Sequence, residues 1–221
     1  MDDIIYILFV SVSIPILLMA LLVEKKSRFP IIFVLIGLFV SVFAAEVNGL
    51  MTKLLSMDTY EITVIVTPVT EEIFKALPIL FYALFISDNR EKLFTGSMAI
   101  GIGFAVLENA YYLLNYPNFS MLSAVIRAFG AGLMHGMCTL LVGVGISFIK
   151  KKSKFFAVGI FGLLSTSIIY HGIYNILIQS KYSIVGALLP IATYIPFFVW
   201  RTMLKQGQVK LNLKKRHAKE K

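Results

Sequence analysis

The stretch Thr67-Pro-Val-Thr-Glu-Glu-Ile-Phe-Lys-Ala-Leu-Pro78 places three charged residues in the middle of a long apolar run. The charged residues are Glu71, Glu72 and Lys75, and the run around them, residues 62–86, is long enough to cross a bilayer. An ionised carboxylate in hydrocarbon is so costly that it persists only where it faces a partner or a water-filled cavity. We therefore expect a functional site here, with partners elsewhere in the chain.

The composition of the chain is that of a membrane protein. Of its 221 residues, 58% are hydrophobic and only 15% are charged, and the mean hydropathy is +0.83. The apolar runs are continuous rather than alternating, which argues against a transmembrane β-barrel. The length allows six or seven membrane-spanning helices and no sizeable soluble domain.

Seven apolar segments predict an all-α, polytopic transmembrane helix bundle. They are residues 4–23, 29–50, 62–86, 93–114, 121–149, 155–178 and 183–203. We expect one transmembrane domain over residues 1–203, with a catalytic core at about 62–178 and a basic cytoplasmic tail at 204–221.

Positive charges in the loops predict the orientation of the bundle. Seventeen of the 21 lysines and arginines follow the first, third and fifth segments or lie in the C-terminal part from Arg201 onward. Such residues stay on the cytoplasmic side, so the N-terminus should be outside and the C-terminus in the cytoplasm. This membrane face explains the net charge of +9, so the expected partner is the lipid bilayer and not nucleic acid.

Four of the segments each contain residues that are expensive to bury. At a rise of about 1.5 Å per residue, Glu71, Glu108 and His171 fall at a similar depth in the outer half of the bilayer. Arg127 lies nearer the outer surface, and His135 is expected to lie deeper than the other four. A helix bundle could bring these side chains together.

The spacing of these residues indicates two pairs on helix faces. Glu71 and Lys75 are i,i+4 neighbours, while Glu72 points about 100° away, so Lys75 can neutralise one carboxylate and leave the other free. His171 and Asn175 have the same spacing and could both donate hydrogen bonds to one oxygen, which is what stabilising an oxyanion requires.

Two buried acids could also share a proton. If Glu71 and Glu108 face each other across a small wet cavity, they cannot both ionise cheaply. A carboxylate beside a carboxylic acid can activate water and then protonate a leaving amine, as in the aspartic-protease dyad. Such a site needs no nucleophilic serine or cysteine and no metal. The sequence has no Gly-x-Ser-x-Gly, and nothing in it indicates an activated Cys138.

Four motifs resemble those of the PrsW family of bacterial intramembrane proteases, a relative of the CAAX prenyl proteases and the Abi proteins. In chain order they are Glu71-Glu72-Ile-Phe-Lys75, Phe104-Ala-Val-Leu-Glu108-Asn109 with Tyr112, Arg127 eight residues before His135, and His171-Gly-Ile-Tyr-Asn175. The resemblance covers residues 67–175, and the remaining segments match only in hydrophobicity.

The resemblance implies a glutamic-type intramembrane endopeptidase of the bacterial plasma membrane, making the site-1 cut in a membrane-anchored substrate such as an anti-sigma factor. Glu71 then matches the water-activating glutamate, with Glu72 beside it, and His171 and Asn175 match the oxyanion-stabilising pair. Glu108 stands where the CAAX proteases have a histidine, so their mechanism does not transfer whole. The residues expected to support the site are Lys75, Arg127, His135 and Asn109.

Other interpretations use the same residues. Glu71, Glu108, His135 and His171 have ligand types suited to zinc, although no His-Glu-x-x-His is present; a glutamic-type site would need no cofactor. Buried acids and histidines could form the proton relay of a transporter, for which inverted repeats are expected and not seen. The charges could also be structural ion pairs, in a non-catalytic protein of the same fold.

Overall fold

The computed structural model describes residues 4–115, 120–148 and 155–217, and within them the chain is helical, without strands. The prediction of an all-α helix bundle is therefore confirmed. The elements are α1 (Ile4–Leu22), α2 (Lys25–Leu55), the single turn α3 (Thr59–Glu61), a π-helical turn (Ile62–Val66), α4 (Thr67–Phe85), α5 (Arg90–Asn115), α6 (Met121–Ile146), α7 (Phe155–Ile178) and α8 (Ser183–His217).

Among the described residues, five helices are long and apolar enough to cross a membrane, namely α1, α2, α5, α6 and Gly159–Ile178 of α7. The apolar part of α8, Ser183–Pro196, is shorter. Helix α4 buries charged side chains and exposes aromatic ones. Glu72 and Lys75 are fully buried, whereas Phe81 and Phe85 are 58% and 73% exposed. That arrangement suits lipid rather than water, because apolar groups can face hydrocarbon and charges cannot.

Helix α5 lies between α2 and α6, and glycines allow both neighbours to approach its backbone. A β-carbon at Gly103 would overlap the carbonyl group of Val34 in α2, and one at Gly101 would overlap the carbonyl group of His135 in α6. Small residues at such crossings are typical of membrane helices. The contact at Gly101 fixes the height of His135 relative to Glu108, which lies two turns further along α5 on the same face.

The segment predicted as one span at 62–86 begins with a capping box and a π turn. Asp58 and Glu61 each accept a hydrogen bond from the other's backbone N–H, which starts α3. In the π turn the Thr67 N–H bonds to the Ile62 carbonyl. In this i to i+5 pattern, the Thr63 carbonyl would accept from the N–H of residue 68. That residue is Pro68, which has no N–H, so the Thr63 carbonyl needs another donor.

The boundary predicted between the transmembrane domain and the tail is not a helix boundary. Helix α8 continues past Met203 to His217. Lysine, leucine, valine and glutamine dominate this stretch, and none of them interrupts a helix as proline does.

Candidate active site

Helices α4, α5, α6 and α7 bring most of the predicted site residues into one buried cluster. The members that contact one another are Glu71, Glu72, Lys75, Glu108, Arg127, His135 and His171. They come from separate spans, so the tertiary packing of the bundle assembles the cluster.

Lys75 lies at the centre of the cluster and is fully buried. Its Nζ lies 2.6 Å from Glu72 Oε1 and 2.9 Å from His135 Nδ1, and it faces the ring of Phe104 at 4.8 Å from the centroid. Glu72 Oε1 also accepts a hydrogen bond of 2.8 Å from His171 Nδ1. Of the two neighbouring glutamates, Lys75 therefore neutralises Glu72, three residues away, and not Glu71, four residues away.

The partners of His135 determine where its proton lies. An ammonium group only donates, so His135 Nδ1 accepts from Lys75 and the proton is on Nε2. His135 Nε2 then donates to Glu108 Oε2 at 2.7 Å. The other oxygen of Glu108 lies 3.6 Å from Arg127 Nη2, and the Arg127 guanidinium stacks on Tyr112 at 3.8 Å from the ring centroid.

The backbone of His135 lies beside Gly101, two turns before Glu108 on α5, which agrees with the greater depth expected for His135, and the two residues meet through their side chains. The backbone contact at Gly101 sets this height of α6. Arg127 lies about two turns before His135, and its long side chain reaches the same carboxylate from the other side.

Glu71 differs from the other two glutamates of the cluster. It is 5% exposed, and its Oε2 has no hydrogen-bond partner among the described residues. The ion-pair contact found for it in the described part of the chain is with His171, whose Nε2 lies 3.9 Å from Glu71 Oε2. Glu71 is thus a buried carboxyl group that neither Lys75 nor Arg127 pairs with.

The charges of the cluster balance only if one further proton is present. It has three carboxyl groups and two permanent cations, Lys75 and Arg127. Lys75 is paired with Glu72 and Arg127 with Glu108, which leaves Glu71. An uncompensated charge at this depth is costly. Since His171 Nδ1 donates to Glu72, the additional proton belongs to the facing pair of Glu71 and His171 Nε2.

Two adjoining cavities reach this cluster. One of about 250 Å³ is lined by Glu71, Glu108 and Asn175, and a second of about 310 Å³ shares Glu108 and Asn175 with it. Each has room for several water molecules, at roughly 30 Å³ per water. A wall of the first cavity is formed by polar side chains of α2 that the sequence analysis missed, Ser41, Asn48 and Thr52. Their spacing of seven and four residues, which places them on one face of a helix, was the available signal.

Asn175 and Asn109 lie outside the ion-pair network. Asn175 Nδ2 donates to the Thr63 carbonyl at 2.9 Å, the carbonyl that Pro68 leaves without a main-chain donor in the π pattern. One amide hydrogen of Asn175 is therefore used for the backbone, and the other is available to the cavities. Asn109 Oδ1 is buried without a hydrogen-bond partner among the described residues, so no contact there ties it to the cluster.

Replacing Asn175 by alanine should destabilise the protein independently of catalysis. The change removes the donor to the Thr63 carbonyl, and a buried unpaired carbonyl costs about 1–3 kcal/mol. Thermal unfolding in detergent measures this as a lower Tm. In a Pro68→Ala background, residue 68 has a main-chain N–H that can bond to the Thr63 carbonyl. There we expect Asn175→Ala to lower the Tm by less. Equal costs in both backgrounds would show that this hydrogen bond does not stabilise the fold.

The cluster also contains ligand types suited to a metal. Glu71, His135 and His171 each offer a ligand atom, and these atoms lie within 4.8 Å of one another. However, both ring nitrogens of His135 are already hydrogen-bonded, to Lys75 and to Glu108, so this ring has no free lone pair. Only Glu71 and His171 Nε2 are then open, whereas a catalytic zinc site usually has three protein ligands. As arranged, the residues do not fit a zinc ion.

Comparisons with known proteins agree with the motif series. The family model described as PrsW family intramembrane metalloprotease matches residues 25–201, from the start of α2 into α8. The match extends well beyond residues 67–175, where the motifs lie. No curated protein and no solved structure matched the chain.

Proposed function

Because the chain belongs to the PrsW family of intramembrane proteases, we propose that it is a glutamic-type endopeptidase in which Glu71 activates water. The membership makes the chain a peptidase and, with its apolar helices, a multi-pass membrane protein. It also sets the transporter alternative aside. The catalytic type, the roles of the residues and the substrate are what we propose here.

One observation carries the proposal, namely that Glu71 is the carboxyl group of the cluster that pairs with neither Lys75 nor Arg127. Glu72 is neutralised by Lys75, and Glu108 lies against Arg127. A carboxylate that is not held by a lysine or an arginine is the stronger base. Glu71 also lines the 250 Å³ cavity, where water and a substrate peptide can reach it.

In the proposed reaction, a water molecule between Glu71 and His171 attacks the carbonyl carbon of the scissile peptide bond. Glu71 accepts a proton from this water as the new C–O bond forms. His171, protonated on both nitrogens, and the free amide hydrogen of Asn175 donate to the oxyanion. The C–N bond then breaks, and Glu71 gives its proton to the leaving amine. The products are one carboxyl group and one amine.

The remaining charged residues hold this pair in place. Glu72 accepts from His171 Nδ1, which orients Nε2 towards Glu71. Lys75 neutralises Glu72 and contacts His135, which in turn donates to Glu108 on the opposite wall of the cavity. Glu108 already accepts from His135 and lies against Arg127, so we assign it a positioning role.

The location of the site in the chain supports a cut on the outer side of the membrane. Glu71 follows the loop between α2 and α4, Glu108 is near the end of α5, and Asn175 is near the end of α7. These ends lie opposite the loops that are rich in lysine and arginine, which we assign to the cytoplasm. We propose the bacterial plasma membrane, with the N-terminus outside, and a site-1 cut in a membrane-anchored protein such as an anti-sigma factor.

A metal-dependent protease is the second candidate. The family description names a metalloprotease, and the ligand atoms of Glu71, His135 and His171 lie close together. The hydrogen bonds of His135 oppose it. Both candidates need the same glutamate, so only the dependence of the rate on bound metal separates them.

The function is tested by comparing the membrane proteomes of cells that express the wild type and Glu71→Gln. We expect at least one membrane-anchored protein to be shortened in wild-type cells and intact in the variant, with equal amounts of the protease in both. Identical sets of membrane-protein termini in the two strains would contradict the proposal.

A further inference from the structure

Tyr174 has a buried hydroxyl group without a partner. The residue is 2% exposed, and its Oη forms no hydrogen bond with any described residue. It lies in α7 one residue before Asn175 and lines the 310 Å³ cavity together with Glu108 and Arg127. Since buried hydroxyl groups are normally hydrogen-bonded, this one calls for an explanation.

The side chain of Tyr174 is held firmly while its hydroxyl remains open. The ring packs against Ala131 and Met134 of α6. A β-carbon at Gly130 would lie 3.2 Å from the hydroxyl oxygen, so the absence of a side chain at Gly130 leaves space beside it. The ring is therefore held in place, with its buried hydroxyl group beside the space that a side chain at Gly130 would fill.

A second unpaired donor lines the same cavity. Arg127 uses its Nη2 for Glu108 and its guanidinium face for Tyr112, but its Nε is buried without a hydrogen-bond partner among the described residues. Arg127 lies one turn before Gly130 on α6, on the side that faces Tyr174. An N–H and an O–H donor thus converge on one cavity next to the site.

We propose that Tyr174 and Arg127 bind a main-chain carbonyl oxygen of the substrate, close to the bond that is cut. The inference rests on the proposed function, and it identifies the 310 Å³ cavity as a subsite for an extended peptide. This cavity shares Glu108 and Asn175 with the cavity that contains Glu71, so one peptide can lie across both.

The chemistry of the subsite selects a carbonyl oxygen. Both open groups are donors, and a carbonyl oxygen has two lone pairs that can accept from both. A substrate carboxylate would lie beside Glu108, whose charge would repel it. A transmembrane helix must unwind to be cut, and its freed carbonyls then need donors, because lipid offers none.

The test uses Tyr174→Phe, which removes the hydroxyl and keeps the ring. Tyr170→Phe is the matched control, since Tyr170 lies one turn earlier on α7 and its hydroxyl is already bonded to Thr193 of α8 at 2.7 Å. The probe is a fluorescein-labelled synthetic peptide with the span and outer flank of a substrate recovered in the proteomic comparison. Its Kd is measured by anisotropy in the Glu71→Gln background, kcat and KM in the active background, and Tm without peptide.

We expect Tyr174→Phe to raise Kd and KM about fivefold to tenfold, because the substrate loses one hydrogen bond. The kcat should not change. The Tm should not fall, because the hydroxyl has no partner in the free protein. Tyr170→Phe should leave Kd unchanged and lower the Tm slightly.

An unchanged Kd for Tyr174→Phe would overturn the subsite, and so would a loss of kcat at constant Kd or a Tm lower than that of the control variant. The binding measurement does not require catalysis. Wild-type cleavage by Glu71→Gln would therefore refute the proposed function alone, and an unchanged Kd with an inactive Glu71→Gln would refute the subsite alone.

Discussion

Glu71→Gln should reduce cleavage by the purified protein by about 10²–10⁴-fold, the range expected when a general base is lost. Glutamine keeps the shape of the side chain but cannot take a proton from water. Because neither Lys75 nor Arg127 pairs with Glu71, the change leaves no buried charge uncompensated, and the Tm in detergent should stay within a few degrees of the wild type. Cleavage of a reconstituted substrate and thermal unfolding on the same preparation measure both effects.

Glu46→Gln is the control for this experiment. Glu46 is also a glutamate within a predicted span, but it bonds to Tyr6 of α1 at 2.6 Å and lies outside the cluster. We expect this variant to cleave at the wild-type rate. If Glu71→Gln cleaved as fast as Glu46→Gln, the assignment of the base would be wrong.

Lys75→Met should have the largest effect on stability. Methionine fills much of the same space beside Phe104, but the fully buried carboxylate of Glu72 then loses its cation. Removing one member of a buried ion pair costs about 3–5 kcal/mol, a large fraction of the stability of a typical domain. The yield of folded protein by size-exclusion chromatography and the Tm should both fall sharply.

The double variant Glu72→Gln/Lys75→Met distinguishes a charge effect from a packing effect. Glutamine at position 72 still accepts from His171 Nδ1 but carries no charge, so most of the folded yield should return. Activity should stay low, because the negative charge of Glu72 beside His171 would be gone. Lys53→Met, at the exposed end of α2, is the neutral control. A double variant as unstable as Lys75→Met would show that packing, and not charge, is responsible.

The sequence predicts the helices and most members of the buried cluster, because both follow from local patterns. Apolar length indicates the spans, and spacings of three and four residues indicate which side chains share a helix face. The partner of Lys75 could not be chosen in this way, since Glu71 and Glu72 are both within its reach on α4. A residue of another helix determines which glutamate pairs with Lys75, because His171 of α7 donates to the same oxygen of Glu72 as Lys75 does.

Features that depend on the relative heights of helices were harder to predict. The side-chain contact of His135 with Glu108 depends on a glycine contact between α5 and α6, which counting residues from the end of a span does not include. The π turn before α4 could have been suspected from Pro68, whose missing N–H disrupts a regular ladder. The donor that compensates for it, Asn175, is more than a hundred residues away in the sequence and becomes visible only in the folded bundle.

The central claim is that Glu71, which pairs with neither Lys75 nor Arg127, and the facing imidazole of His171 hydrolyse a peptide bond without a metal. The most direct measurement is the rate of substrate cleavage and the bound zinc content of the same purified sample as chelator removes the metal. We predict that the rate stays at the untreated value when zinc is far below one ion per chain, and that Glu71→Gln is inactive in the same assay. A rate that falls in proportion to bound zinc and returns when zinc is added back would contradict the account.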